Sequence, residues 1–214
     1  MKILVTEEQI KYMLKEMPYP QSFNMETFKS IKSFSGRIKY CEEHLQRISS
    51  GSARIVYKID NEKVLKLAKN QKGIAQNNVE SEYYLQDHYP IVAKCFDSDE
   101  NGMFVEMELA QRCSPSQFKK IVGFDFNLLF PYLNNMFKKY NTPNMYIEPK
   151  TKEMMDNNEW LYDLTSLIGD YDMPIGDVTR LNSYGIVKRE GIDMVVLIDY
   201  GLTNGVFTDY YARK

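Results

Sequence analysis

The sequence is poor in the residues that most often announce a specialised site. Its 214 residues include three cysteines (Cys41, Cys95, Cys113), two histidines (His44, His88) and one tryptophan. Three widely spaced cysteines, an odd number, suit neither a disulfide framework nor a cysteine-rich zinc site, and are expected to be reduced thiols. Two histidines are too few for a histidine-rich metal centre, and neither lies in an HExxH pattern. The longest wholly apolar run, Met194 to Ile198, is far below the roughly 20 residues that span a bilayer. The amino terminus turns polar at Thr6, before the apolar stretch of a signal peptide can form, so a soluble, cytoplasmic protein with no membrane partner is expected. Lys and Arg number 27 against 29 Asp and Glu, a net charge of -2, which leaves no surplus to grip a phosphate backbone and no support for a nucleic-acid partner. With 11 glycines and 8 prolines, collagen-like and low-complexity readings fail, and 43% hydrophobic with 26% charged residues is the make-up of a globular chain able to bury a sizeable core.

What is present has a definite order. Thr6-Glu7-Glu8-Gln9 has the form of a capping box, and Ile10, Met13, Leu14 and Met17 recur at helical spacing, which predicts an amphipathic helix over 7–17 stopped by Pro18 and Pro20. Its apolar stripe either packs on the neighbouring lobe or docks on a partner. Met25, Phe28 and Ile31 predict a second short helix before Gly36. Arg54 to Ile59 and Val64 to Leu67 are β-prone runs around a turn at Asp60-Asn61-Glu62-Lys63. A strand is expected to precede them within 38–49, although Glu42-Glu43-His44-Leu45 reads equally as helix. Residues 72–89 read as one helix ended by Pro90, followed by strands at 91–97 and 103–109 around a turn at Asp99-Glu100-Asn101-Gly102. Ser114-Pro115-Ser116-Gln117 offers an N-cap, and Leu133, Met136, Phe137 and Tyr140 form an apolar stripe. Residues 151–169 read as a helix with Met154, Leu161, Leu164 and Ile168 inside and Trp160 as a core anchor. A loop rich in Asp, Gly and Pro runs from Asp170 to Asn182, before strands at 184–188 and 194–199 around Glu190-Gly191.

Five features stand in an order that has chemical meaning. Ser49-Ser50-Gly51-Ser52-Ala53, between two strands, has side chains small enough for backbone N–H groups to approach a phosphate. Lys66 alternates with Leu65 and Leu67, so it faces away from both, and a lysine facing inward needs an anion. Glu80 shares a helical stripe with Tyr83, Tyr84 and Asp87 that aims it at the sheet. Asp177 to Asn182 is an Asp-x-x-x-x-Asn loop, and Asp199-Tyr200-Gly201 follows an apolar strand. Singly, each is also what an ordinary hairpin loop, exposed strand or solvated helix shows. Together they make the signature set of protein kinases in its usual order, and the sequence over residues 38 to 201 resembles the protein kinase-like superfamily. The stretch Lys66 to Asn70 through Gln76 to Glu80 is also similar to small kinase-like proteins encoded by tailed phages, whose setting would be the host cytoplasm or the virion.

The resemblance implies an α+β, two-lobed kinase-like fold: an N-terminal helical extension (1–36), an antiparallel-sheet N-lobe (37–110) and a reduced helical C-lobe (111–214), with a nucleotide cleft between the lobes. It implies ATP and Mg²⁺ as cofactors. Lys66 would hold the phosphates and Glu80 would orient it; Gly51 and Ser52 would lie over the phosphates; Glu108 and Ala110, at the ends of Glu108-Leu109-Ala110, would receive the adenine. Asp177 would accept the proton of the phosphoryl acceptor, and Asn182 and Asp199 would hold the metal. Asp170 and Asp172, if close to Asp177 and Asp199, would add to a self-repelling acidic group with an appetite for cations. The departures are as informative. Only Gly51 of three expected glycines is present, and Arg54 stands in the place of the third, where it could contact an anion. Ile175-Gly176 precedes Asp177, closer to the form found in small-molecule phosphotransferases. The chain runs 13 residues beyond Gly201, which leaves no length for the usual activation segment and substrate lobe. The expected function is phosphoryl transfer from ATP to a protein or small molecule. The alternative is a catalytically silent, pseudokinase-like binding or structural module.

Overall fold

The computed structural model describes residues 19–138 and 142–212; the helix expected at 7–17, like Tyr140, lies outside them. The described chain opens with two helices, α1 (Met25–Ser30) and α2 (Phe34–His44), each begun by a capping side chain, Asn24 accepting from the Thr27 N–H and Ser33 from the Gly36 N–H. The ambiguous segment Glu42 to Leu45 therefore closes a helix, and the first strand starts just after it.

Next come β1 (Gln46–Ser50), β2 (Arg54–Lys58), β3 (Lys63–Ala68), α3 (Gln71–Glu80), α4 (Tyr83–His88), β4 (Cys95–Ser98) and β5 (Phe104–Glu108). The strands form one antiparallel sheet in the order β1-β2-β3-β5-β4. Register assigns the two faces. Val56 pairs with Lys66 and Val64 with Met107, so Arg54, Val56, Val64, Lys66 and Met107 share one face, while Ile55, Tyr57, Leu65, Leu67 and Phe104 share the other. That second face is covered by α1 and α2 through Phe23, Phe28, Cys41 and Leu45. Between the strands, the single helix expected at 72–89 is two. It breaks at Ser81-Glu82, where the side-chain amide of Gln86 donates to the Glu80 carbonyl in place of a ladder N–H. The break changes the phase of the helix, so Glu80 faces inward while Tyr83 and Tyr84, expected on its stripe, lie on the surface.

The second lobe contains β6 (Gln111–Arg112), α5 (Pro115–Val122), α6 (Leu129–Phe137), α7 (Pro149–Asp156), α8 (Glu159–Asp170), α9 (Ile175–Val178), β7 (Tyr184–Arg189), β8 (Ile192–Leu197) and α10 (Asn204–Tyr210). The Ser114/Gln117 capping box is complete, with Pro115 in the first turn. The helix expected over 151–169 is again two, because Asn158 caps α8 by accepting from the Leu161 N–H while its amide donates to the Val122 carbonyl. The interruption puts Met155 inside and leaves Met154 exposed, the reverse of the expected face. On α6 Leu133 is buried, but Met136 and Phe137 face outward. β7 and β8 form a tight hairpin, Arg189 pairing with Ile192 across Glu190 and Gly191, both at positive φ (52° and 84°). The α+β architecture with an antiparallel-sheet lobe and a helical lobe is thus the expected one.

The helical lobe is organised around an aromatic cluster. Phe118 meets Phe124, Phe126, Trp160 and Tyr184 at ring-centroid separations of 5.0–6.1 Å, all edge to face. The Trp160 indole N–H donates to the Val195 carbonyl at 2.9 Å, fixing α8 against β8. Phe118→Ala is expected to cost about 3–5 kcal/mol and to lower the thermal midpoint by about 2–4 °C per kcal/mol. A calorimetric scan that showed no shift would contradict the central place given to this ring.

Candidate functional site

Between the two lobes lies a cleft of about 370 Å³, within the size range of small-ligand sites. One end is apolar, walled by Ile48, Val56, Val64, Met107, Leu109 and Ile198. The alternation that puts Val56, Val64 and Met107 on one sheet face makes this wall, and the chain leaving β5 borders it through Glu108, Leu109 and Ala110. That connection is held from behind: the Leu109 N–H donates to the Glu62 carbonyl at 2.7 Å. The Glu108 carboxylate is not offered to the cleft; it is clamped by Arg189 of β7 at 2.6 and 3.3 Å.

The other end of the cleft is ionic. Glu80, with no exposed surface, accepts from Arg54 through both oxygens (2.6 and 3.0 Å), from Lys66 at 2.8 Å, and from the N–H groups of Tyr200 and Gly201 at 3.3 and 3.2 Å. Burial alone would raise its pKa, but Arg54 and then Lys66 more than reverse this and hold it below the usual carboxylate range. Burial opposes the charge on Arg54 too, yet Glu80 and Asp199 strengthen its hold on its proton. Lys66 is pulled the other way: burial lowers its pKa, and the attraction of Glu80 is offset in part by the neighbouring Arg54. Its ammonium donates to Glu80 and, at 2.6 Å, to the Ile198 carbonyl, two of its three possible donations.

Arg54 also reaches Asp199, with 2.5 Å between Nη2 and Oδ1. Expected against a free anion, it has Glu80 and Asp199 as its anions, and the polar side chain of Asn77 lies 3.3 Å from Nη1. Tyr200 is buried below the cleft, and the hydroxyl that distinguishes it from phenylalanine accepts from Gln86 at 2.6 Å and donates to the Ala93 carbonyl at 2.8 Å. At Gly201 an added Cβ would lie 2.5 Å from the Gln76 carbonyl oxygen, so glycine is what lets this segment lie on α3.

Of the expected site residues, Gly51, Ser52, Lys66, Glu108, Ala110, Asn182 and Asp199 border the cleft, and Glu80 lies directly beneath it. Asp177 is not on the cleft wall; it pairs with Arg180 at 3.1 Å. Gly51 has an ordinary φ and room for a side chain. The loop it belongs to is tied from below, Lys69 Nζ donating to the Gly51 carbonyl at 2.9 Å and the Asn70 amide to the Ser52 carbonyl at 3.1 Å. The expected acidic group does not gather. Asp170 accepts the Tyr89 hydroxyl, Asp172 the Asn204 amide, and among the described residues no three acidic, histidine or cysteine side chains converge as a metal site. Asp199 and Asn182 are oxygen donors of the right kind for Mg²⁺. The fixed guanidinium on Asp199, however, is itself a cation on the ligand oxygen, and this arrangement does not fit a divalent ion.

Two cleft residues carry no motif that marks them in the sequence. Gln76 of α3 and Tyr211, just past α10, meet at the mouth of the cleft with 3.0 Å between amide and hydroxyl, and Lys72 lies 4.3 Å from the Tyr211 ring centroid. Arg180 was likewise unmarked; it stands within the Asp177-to-Asn182 loop, but only the fold shows that it turns back on Asp177.

No family model matches the sequence, and no curated protein matches it. Among solved structures, SAICAR synthase from Saccharomyces cerevisiae aligns over 75% of this chain and 74% of its own, at 11% identity and a TM-score of 0.39. The gentamicin–APH(2″)-IIa complex aligns over 94% and 71%, at 12% identity and a TM-score of 0.35. APH(2″)-Ib with ADP bound aligns over 78% and 69%, at 13% identity and 0.33.

Glu80 is the site's most consequential ionisable group. Glu80→Gln leaves Arg54 and Lys66 facing each other without the charge between them, and is expected to cost about 3–5 kcal/mol at neutral pH. Because the folded pKa of Glu80 lies below its unfolded value, its contribution is present above about pH 4.3 and is lost as pH falls through the folded value. The stability gap between wild type and variant, measured by denaturant unfolding, should therefore narrow in acid. A gap independent of pH would contradict the charge assignment.

Proposed function

We propose that the cleft is a nucleotide site and that the protein is a kinase-like, ATP-binding phosphotransferase. The observation that carries this reading is the state of Lys66. A buried ammonium whose carboxylate partner is already shared with Arg54 is under-compensated, and a phosphate at the open end of the cleft would supply both the missing charge and the third acceptor. The apolar wall from Ile48 to Ile198 offers a slot for the adenine ring, and Ala110 borders that slot. The tied Gly51-Ser52 loop would lie over the phosphates. Asn182 and Asp199 border the phosphate end.

In the transfer itself an acceptor hydroxyl oxygen would bond to the γ-phosphorus as the bond to the β–γ bridging oxygen breaks. The hydroxyl proton would pass to Asp177 and ADP would leave. Arg180, bonded to Asp177, would set the direction of its carboxylate. An acceptor belongs on the Asp177 side of the cleft, whether a small molecule or a protein side chain.

One specific observation favours a second reading. Arg54 occupies the oxygen of Asp199, and a site arranged so can hold nucleotide without turning it over, as a catalytically silent binding module. Separating the two requires a product. Incubation with ATP and a panel of small-molecule and protein acceptors, read by ADP release, favours the first if ADP appears and falls at least tenfold in Asp177→Asn.

For the nucleotide site itself, calorimetric titration of ATP into wild type should give saturable binding and a raised thermal midpoint. Lys66→Met should weaken it by at least about tenfold, roughly 1.4 kcal/mol. Equal affinity in the variant, or no binding and no thermal stabilisation in wild type, would overturn the assignment.

A further inference from the structure

The cation that phosphates would meet at Asp199 is already part of the chain. Arg54 Nη2 lies 2.5 Å from Asp199 Oδ1, while the same guanidinium grips both oxygens of Glu80 at 2.6 and 3.0 Å. It is not a side chain swinging in solvent. Arg54 is buried, rooted in β2, and its principal partner has no exposed surface. Moving it away would take one of two cations from a buried carboxylate, and a charge left short of partners in a dry site is costly. A divalent ion placed on that Asp199 oxygen would therefore stand beside a fixed positive charge that has no easy exit.

Nor does this end of the cleft need a metal to offset its carboxylates. Arg54 and Lys66 oppose Glu80 and Asp199, and Lys69, whose ammonium is pinned 2.9 Å from the Gly51 carbonyl, adds one more positive charge under the phosphate loop. Among the described residues Lys66 makes two of its three donations.

We propose that this cleft takes its nucleotide as the metal-free di- or triphosphate, with Arg54 as the built-in countercharge at Asp199. The proposal rests on the nucleotide reading above and sharpens it, naming the ionic form of the ligand and the residue that selects it. Arg54 acts here as a specificity-determining residue.

The probe is ADP, titrated calorimetrically in excess EDTA and again in excess MgCl₂. For wild type the two dissociation constants should agree within about threefold. Arg54→Met should weaken binding in EDTA by at least about tenfold and make it magnesium-dependent, since Asp199 is then released. Thermal melts establish that the variant is folded. A second variant gives the opposite sign. Asp199→Asn removes a negative charge that faces the phosphates while its amide oxygen still accepts from Arg54, so binding in EDTA should tighten, whereas a metal-dependent site would lose its binding in MgCl₂. Wild-type affinity that falls tenfold or more in EDTA, or loss of binding in Asp199→Asn, overturns the inference and leaves the nucleotide site standing. Absence of ADP binding in both buffers overturns the nucleotide reading and the inference with it.

Discussion

A carboxylate with no exposed surface has to be neutralised where it sits, and Glu80 is neutralised twice. The five donors on its two oxygens come from the neighbouring strands β2 and β3 and from the segment after β8, the last 120 residues away in sequence. Each donor gains from the low dielectric only if the others are in place, because a partly satisfied buried charge is worse than none. The ionic end of the cleft is therefore assembled as a unit. The end of α3, the position of Tyr200 and the close approach that Gly201 permits are all set by where Glu80 must be.

This constraint also marks the boundary of what sequence could reveal. Lys66 was legible from alternation in β3, Asp199 from its place after an apolar strand, and the Ser114 cap from spacing, because these signals are local. The double cation on Glu80 was not. Nothing near Arg54 in sequence says that its guanidinium will meet residues 26 and 145 positions away. The breaks at Ser81-Glu82 and Asn157-Asn158 were hidden for a similar reason. Each is made by a side-chain amide that reaches another part of the backbone, and periodicity reads straight through such a break. Met154 and Met155 then exchange faces. Glu108 borders the cleft, but its side chain belongs to Arg189, a partner that only the β7–β8 hairpin could bring near.

The cysteines illustrate the reverse case, where composition was enough. All three are free, Cys41 and Cys113 are buried, and burial pushes the Cys41 and Cys95 thiols up to about 12. They are held as thiols rather than thiolates, so they behave as small apolar side chains. The polar chemistry of this fold is concentrated elsewhere, in one cleft whose apolar half comes from strand alternation and whose ionic half comes from long-range pairing.

The clamp between Arg189 and Glu108 bears on how the molecule moves. Besides its two bonds to Glu108, Arg189 donates to the Pro90 and Val92 carbonyls, so one side chain of the second lobe grips the chain on both sides of β4 and β5. Rotation of one lobe away from the other about the connection at residues 108–110 would have to break these bonds together. Opening by rigid-body hinge rotation is thus disfavoured. Widening the cleft therefore means breaking either the Arg189 bonds or the Lys69 and Asn70 bonds that tie the turn between β1 and β2.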